Sequence, residues 1–483
     1  MNLNQTTNKN IKWSFIESIS LKLVGFVLSI ILARLLTPED FGILAIVNVF
    51  YLVTVLFVDG GLREALIQKK QATQIDYSTM FWLNLGMSCL IYIGLFIAAP
   101  YIESLYEYDN LSFFIRLQSI ILIIESFGLI QIVKATRDLD LKKITLARIP
   151  ASIFSFIVGI SMAYLGFGVI SLIVQQLVNG FIYTSLLVFK IRYVPIFTFN
   201  KNSFKSLFAF GSKMIAISYL SRFYVQSLNL IFAFFYNPAL LGLYTKSRSL
   251  QGVPIEVVNT SFVKGLYPTM VKVQKHDRLL RKIFLKNIRR LTLFMVLING
   301  ILFFNAHEII LILLGEKWIE MTIYLKIAAV GSILFPVNTQ VINILKARGN
   351  PGIILKIEFF IKSISLGLII ILSTAKSFPL VLWSLAVINL VSSCVFLYFC
   401  SKKINFLFSK EFFKLLLPII YHIITGYFIF KVLQLMTRDW NDILKIFLFI
   451  LFYFTATLIF TFIFKDYSLK KYFEKSNKHS ITS

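Results

Sequence analysis

The sequence predicts an all-α integral membrane protein with about fourteen transmembrane helices, and three observations carry this prediction. Hydrophobic residues make up 57% of the chain and charged residues 15%, whereas a soluble domain carries about 25% charged residues. Apolar runs long enough to cross a bilayer recur along the whole chain. Basic residues gather in every second connection between these runs, which is typical of multi-pass membrane proteins.

The apolar runs define the predicted spans. A transmembrane helix needs roughly 20 mainly apolar residues, and this criterion is applied along the chain. The predicted spans are 14–34, 41–60, 81–100, 113–133, 149–166, 169–189, 210–235, 240–261, 291–314, 321–344, 353–374, 378–399, 414–434 and 443–464.

The basic connections predict the orientation of the protein. By the positive-inside rule both termini are cytoplasmic, and the protein lies in the inner, cytoplasmic membrane. This orientation accounts for the net charge of +26, because a nucleic-acid partner would require a continuous basic face. The longest cytoplasmic connection, residues 264–290, mixes leucines with basic residues and predicts an amphipathic helix along the inner interface.

One phrase occurs twice, each time at the end of an apolar run. Residues 31–42 read ILARLLTPEDFG and residues 231–242 read IFAFFYNPALLG. Proline fixes φ and glycine is conformationally free, so each phrase predicts a tight turn between two spans. The repeat predicts two related halves, an architecture that many transporters share. The matching residues are Ala33, Pro38 and Gly42 in the first copy and Ala233, Pro238 and Gly242 in the second.

Several predicted spans contain ionisable residues, each of which costs about 2.5 to 3.5 kcal/mol at a helix centre. Helical spacing groups them with polar residues into stripes on the first, seventh and eighth spans. We therefore expect a water-accessible cavity between the halves, and its arginines suit a phosphate or carboxylate ligand. The predicted cations are Lys22, Arg222, Arg248 and Lys246, and the predicted polar lining is Gln226, Asn229, Gln251 and Asn259.

Acidic residues in the spans are fewer. Glu125 is a candidate for ion coupling, and pairing with a basic residue of a neighbouring helix is the alternative. Glu358 and Lys362 are four residues apart on a helix and are predicted to pair.

The sequence offers no pattern for a cofactor or a metal. The four histidines are scattered, and the three cysteines have no metal-binding or disulfide spacing. No nucleotide-binding G-x-x-x-x-G-K-[ST] motif occurs. We therefore predict neither a cofactor nor a bound metal.

A series of short motifs occurs in order along about residues 10 to 370. The motifs are LARLLTPEDFG at 32–42, DGGLREALIQKK at 59–70, STMFWLN at 78–84, AYLGFGV at 163–169, LGLYTKSRSLQGVP at 241–254, LYPTM at 266–270 and LLGEKW at 313–318. Together they resemble the polysaccharide-exporting flippases of the Wzx and teichuronic-acid-exporter type, a family of the multidrug, oligosaccharidyl-lipid and polysaccharide exporter superfamily.

This resemblance implies an architecture and a substrate. The architecture is two pseudo-symmetric six-helix lobes, at 1–200 and 201–400, followed by two helices and a basic cytoplasmic tail at 401–483. The implied substrate is an oligosaccharide repeat unit on undecaprenyl diphosphate, moved outward by alternating access for surface polysaccharides such as O-antigen, lipopolysaccharide or exopolysaccharide. Arg222 and Arg248 match basic positions of the family pattern. Arg34 matches its LAR motif, but its place at a span end fits anchoring equally well.

The resemblance also implies partners, namely the lipid-linked oligosaccharide, membrane lipids and the polymerase machinery that uses the product. Two other functions are weighed against it. A cation-coupled multidrug exporter of the same superfamily would need buried acids, which are scarce here. A membrane polymerase or ligase would need a sizeable external loop with catalytic residues, whereas the predicted external loops are short. We therefore expect a transporter and not an enzyme.

Overall fold

Helices dominate the protein because a chain in lipid must satisfy its backbone hydrogen bonds internally. The computed structural model describes residues 22, 24–59, 61–69, 71–274, 276–348, 351–436 and 440–464. Within these ranges the regular structure is helical and no strand occurs. The predicted all-α fold class is confirmed.

The helices follow one another with short connections. A 3₁₀ segment, Glu316–Trp318, precedes α12. The helices are α1 (Val24–Leu35), α2 (Pro38–Asp59), α3 (Leu62–Gln68), α4 (Gln74–Tyr106), α5 (Leu111–Arg137), α6 (Leu141–Tyr164), α7 (Val169–Ile191), α8 (Lys201–Phe235), α9 (Pro238–Lys272), α10 (Asp277–Phe304), α11 (Ala306–Leu313), α12 (Met321–Gly331), α13 (Phe335–Ala347), α14 (Pro351–Ser373), α15 (Phe378–Ile404), α16 (Phe408–Met436) and α17 (Asp442–Ile463).

Ten helical stretches of the described chain are long and apolar enough to cross a membrane. One of them, Met321–Lys346, joins α12 and α13. The four other predicted spans coincide with α1, which is short in the described residues, and with α8, α9 and α14, which carry several charged side chains. The multi-pass membrane architecture is therefore confirmed, and the count of fourteen stays a prediction.

The connection between the eighth and ninth predicted spans differs from expectation. No separate amphipathic helix forms there, because α9 continues to Lys272 and α10 begins at Asp277. The prediction over residues 264–290 was wrong. The basic residues of this segment extend two long helices, since lysine and arginine are good helix formers whether or not the helix remains in lipid.

The chain divides into two compact units, Met1–Thr245 and Lys246–Ser483. In the first unit α5 packs against α4 and α7, and α6 packs against α7. In the second unit α15 packs against α12, α13 and α14, and α16 packs against α10 and α17. The lobe boundaries predicted near residues 200 and 400 stay predictions.

Both copies of the repeated phrase have the same local structure. The first copy ends α1 at Leu35 and starts α2 at Pro38, and the second ends α8 at Phe235 and starts α9 at Pro238. Proline suits this first helical position because its fixed φ is helical and its missing N–H would have no helical partner there. The alanine of each copy is buried. The two predicted turns are confirmed.

A capping side chain stabilises each turn. In the first copy the Asp40 carboxylate accepts a hydrogen bond from the backbone N–H of Thr37 at 2.8 Å. In the second the side-chain oxygen of Asn237 accepts one from the N–H of Leu240 at 2.8 Å. Different residues thus stabilise the same turn.

Two glycines allow α16 and α17 to approach α10 closely. A Cβ at Gly300 of α10 would overlap the hydroxyl of Tyr453 on α17. A Cβ at Gly426 of α16 would overlap the ring of Phe304 on α10. Small residues promote close helix packing in membranes, where no hydrophobic driving force acts between helices.

The Gly300→Ala substitution is expected to destabilise the second unit by about 1 to 3 kcal/mol, because the added methyl group overpacks the contact with Tyr453. Thermal unfolding in detergent measures this effect. Gly367→Ala in α14 is the matched control, since a Cβ there meets nothing within 4 Å. A Gly300→Ala protein as stable as the Gly367→Ala protein would contradict this packing.

Candidate transport site

The predicted cations of the first unit lie on α8 and at both ends of the short α1 segment. Arg222 is exposed near the middle of α8, which is 35 residues long. Lys22 is half-buried just before α1. Arg34 is exposed one residue before the end of α1, a position that suits an interfacial anchor as well as a ligand contact.

Arg222 belongs to a row of polar side chains on α8. Gln226 and Asn229 follow it at spacings of four and three residues, which place all three on one face of the helix. The amide of Asn229 donates a hydrogen bond to the side-chain oxygen of Gln226 at 3.4 Å. The two amides therefore contact one another, and Arg222 is the charged member of the row.

Lys246 and Arg248 have different environments at the start of the second unit. Lys246 is buried, with 6% of its surface exposed, whereas Arg248 is exposed. Residues two apart on a helix point to nearly opposite sides, which explains the difference. Arg248 is therefore accessible at the helix surface, and Lys246 lies in the interior.

Gln251 joins three helices of the second unit. Its amide donates a hydrogen bond to the carbonyl oxygen of Ala328 at 3.0 Å and another to the hydroxyl of Ser332. That hydroxyl donates in turn to the side-chain oxygen of Asn299 at 3.0 Å. Gln251 therefore links α9 to α12 and α10, and its contact with substrate stays a prediction. Asn259, further along α9, has a buried side-chain oxygen without a hydrogen-bond partner in the described chain.

Glu125 lies on α5 and accepts a hydrogen bond from the hydroxyl of Tyr51 on α2 at 2.8 Å. Arg148 of α6 acts on Glu125 electrostatically, while its guanidinium lies 4.5 Å from the ring centroid of Tyr183. Glu125 is nevertheless exposed. Its carboxylate thus has a specific donor and a positive charge nearby, and remains accessible.

A set of amides near Glu125, of which Gln118 is buried and its two partners are half-buried, was missed at the sequence level. The amide of Gln118 on α5 donates hydrogen bonds to the side-chain oxygens of Asn48 on α2, at 3.3 Å, and Gln176 on α7, at 2.9 Å. Polar residues within apolar runs were the available signal. Their partners lie 58 and 70 residues away in sequence, so spacing along one helix did not reveal them.

The second unit contains a cavity of about 360 Å³ lined by α10, α12, α15, α16 and Tyr453. Its wall is almost entirely apolar and includes none of the predicted cations. His422 is the titratable base in this wall, and its two ring nitrogens have no hydrogen-bond partner in the described chain.

Two further predictions can be compared with the described residues. Lys362 and Glu358 form the predicted ion pair at 2.7 Å. Within the described ranges, no group of three or more histidine, cysteine, aspartate or glutamate side chains is placed to hold a metal ion.

Comparison with known proteins assigns the family. Residues 31–323 match the family described as polysaccharide biosynthesis protein. The match covers more than half of the chain. The chain belongs to this family. This polysaccharide biosynthesis family member is 24% identical over 345 residues to the teichuronic acid biosynthesis protein TuaB of Bacillus subtilis, covering 70% of each chain. It is 23% identical over 370 residues to the lipopolysaccharide biosynthesis protein WzxC of Escherichia coli, covering 74% of each.

The fold of this protein is similar to that of a solved structure. The structure of the lipid II flippase MurJ in its inward closed conformation superimposes on this chain with a TM-score of 0.72. The match covers 93% of this chain and 99% of that one at 14% identity, so it supports the fold alone. Together the comparisons confirm the resemblance to the polysaccharide flippase family and the all-helical fold of its members.

Proposed function

We propose that this protein moves oligosaccharide repeat units, linked to undecaprenyl diphosphate, from the inner to the outer face of the cytoplasmic membrane by alternating access. Both termini are cytoplasmic in this proposal. The product then serves the polymerase machinery that assembles a surface polysaccharide.

One observation carries the proposal. This protein exposes an arginine on each of two consecutive helices, α8 and α9, and both helices coincide with predicted spans. Arg222 on α8 and Arg248 on α9 are both accessible. A guanidinium presents a planar fork of donors that binds phosphate oxygens bidentately. A charge at the centre of a membrane helix costs about 2.5 to 3.5 kcal/mol, and such residues mark substrate paths. We assign these arginines to the diphosphate, with Lys22, Lys246 and Arg34 adding positive potential.

The charge of the substrate supports outward transport without a nucleotide. Moving one negative charge out of a negative interior gains about 2.3 kcal/mol per 100 mV of membrane potential. A diphosphate carries more than one negative charge, so the membrane potential contributes a driving force for outward movement. The absence of a Walker-type motif from the sequence agrees with this source of energy.

The proposal is tested in a strain that lacks this protein. Lipid-linked repeat units are expected to accumulate on the inner leaflet and to disappear when the wild-type protein is restored. A strain that keeps normal surface polysaccharide and becomes sensitive to cationic drugs would contradict the proposal and favour a multidrug exporter.

Glu125 is the proposed ion-coupling residue, because its carboxylate is exposed in a membrane-spanning helix and accepts a hydrogen bond from Tyr51. Glu125→Gln keeps the shape and removes the charge. If protons or sodium drive transport through this residue, the variant loses the dependence of translocation on the ion gradient. Measurement in vesicles with imposed pH or sodium gradients tests this, with Tyr51→Phe as a milder companion. A variant with unchanged gradient dependence would show that Glu125 serves packing alone.

A further inference from the structure

The two copies of the repeated phrase contact one another within the first unit. A Cβ built on Gly42 would overlap the carbonyl oxygen of Pro238, and a Cβ built on Gly242 would overlap the carbonyl oxygen of Pro38. The contact is reciprocal, because the glycine of each copy meets the proline of the other. Each glycine Cα therefore touches a backbone carbonyl, as in the Cα–H···O contacts of closely packed helices.

Aromatic residues at the same helix ends extend this contact. The Tyr108 hydroxyl donates a hydrogen bond to the carbonyl oxygen of Tyr236 at 3.2 Å, and the rings of Tyr106 and Phe234 meet edge-on with centroids 6.4 Å apart. Burial raises the pKa of Tyr108, and the nearby Glu39 carboxylate adds to the effect, so this hydroxyl keeps the proton that it donates. The end of α4 thus packs on the end of α8 beside the two glycines.

Helix electrostatics oppose the same contact. The first turns of α2 and α9 both present the positive ends of their helix dipoles. Glu39 and Asp40 offset this charge on α2, whereas the first turn of α9 has no acidic residue. Close packing stabilises the contact and the repulsion between the two dipoles destabilises it. The opposing contributions suit a contact that forms and separates repeatedly.

We propose that the duplicated phrase is an outer gate, in which the two turns close the external end of the transport path by this reciprocal contact and separate when the path opens outward. The external placement follows from the positive-inside prediction. The proposal rests on the proposed function for its alternating access. It explains why both copies have proline and glycine at the same spacing, because only glycine leaves room for the other copy's carbonyl oxygen.

Reversible crosslinking tests the gate. The native Cys89, Cys394 and Cys400 are replaced by alanine, and Tyr106→Cys is combined with Phe234→Cys. A short, cleavable thiol crosslinker is expected to join the pair in the purified protein and to stop translocation of lipid-linked oligosaccharide in vesicles. Cleavage of the crosslinker should restore translocation. Full translocation by the crosslinked protein would overturn the proposal.

Glycine variants test the reciprocal contact without requiring any substrate. Gly42→Ala and Gly242→Ala are each expected to lower the crosslinking yield about tenfold, because the added methyl group disfavours the closed contact. Gly94→Ala in α4 is the matched control, since a Cβ there meets nothing within 4 Å. Equal crosslinking in all three variants would overturn the gate. If the yields follow the prediction and the unmodified protein moves no lipid-linked sugar, the proposed function fails and the reciprocal contact stands.

Discussion

Arg222→Ala and Arg248→Ala are each expected to reduce export of lipid-linked repeat units by about thirtyfold or more, with normal amounts of protein in the membrane. Removing one partner of a charged hydrogen-bonded pair costs about 2 to 5 kcal/mol, which corresponds to at least this factor. Both side chains are exposed. The measurement is the quantity of lipid-linked intermediate that accumulates in cells, compared with surface polysaccharide.

Two matched variants make this prediction specific. Arg222→Lys keeps the charge and loses the bidentate fork, so it should retain partial export. Arg192→Ala removes an exposed arginine just after α7, outside the predicted spans, and should export normally. Normal surface polysaccharide in both Arg222→Ala and Arg248→Ala cells would remove these arginines from the proposed site.

The largest expected effect on stability comes from the ion pair between Arg289 on α10 and Glu411 on α16. Both side chains are buried, and the Nε of Arg289 donates a hydrogen bond to Glu411 Oε2 at 3.1 Å. Arg289→Ala or Glu411→Ala leaves an uncompensated buried charge and is expected to lower the free energy of unfolding by about 3 to 5 kcal/mol. Thermal unfolding of the purified protein in detergent measures the loss.

The double variant Arg289→Met/Glu411→Leu distinguishes a buried charge effect from a packing effect. Replacing both partners by apolar residues is expected to restore most of the stability, since neither charge is then buried alone. Lys445→Ala is the control, because it breaks the partly exposed pair with Asp442 at 3.1 Å and should cost less than about 1 kcal/mol. Equal stability of the Arg289→Ala and Lys445→Ala proteins would show that the buried pair contributes little.

The sequence predicts most of the helices because hydropathy and turn residues are local properties. The turn at Pro38 and its repeat at Pro238 follow from the residues themselves. Hydropathy predicts where a span leaves the membrane, but it does not predict where the helix ends. The helix α9 continues beyond its predicted span to Lys272. The segment predicted as a separate amphipathic helix therefore contains the C-terminal end of α9 and the N-terminal part of α10.

The candidate site is less predictable because its contacts are long-range. Helical spacing correctly grouped Arg222 with Gln226 and Asn229 on one face of α8. Helical spacing also predicted that Gln251 lines the cavity, although its amide bonds to Ala328 of α12 and to Ser332 just after that helix, 77 and 81 positions away. The Tyr51 donor to Glu125 is likewise 74 residues distant. Sequence spacing identifies which side chains share a helix face, and only the packing of helices decides which of them meet a partner.

Translocation by the purified protein in proteoliposomes tests the central claim most directly. The vesicles contain an undecaprenyl-diphosphate-linked oligosaccharide in the lumenal leaflet, and a membrane-impermeant reagent detects its sugar when it reaches the outer leaflet. We expect rapid labelling that depends on the protein, increases with a membrane potential that favours movement of an anion to the outside, and falls in the Arg222→Ala/Arg248→Ala double variant. No labelling of the lipid-linked sugar above protein-free vesicles, by a preparation that transports a cationic drug, would contradict the account.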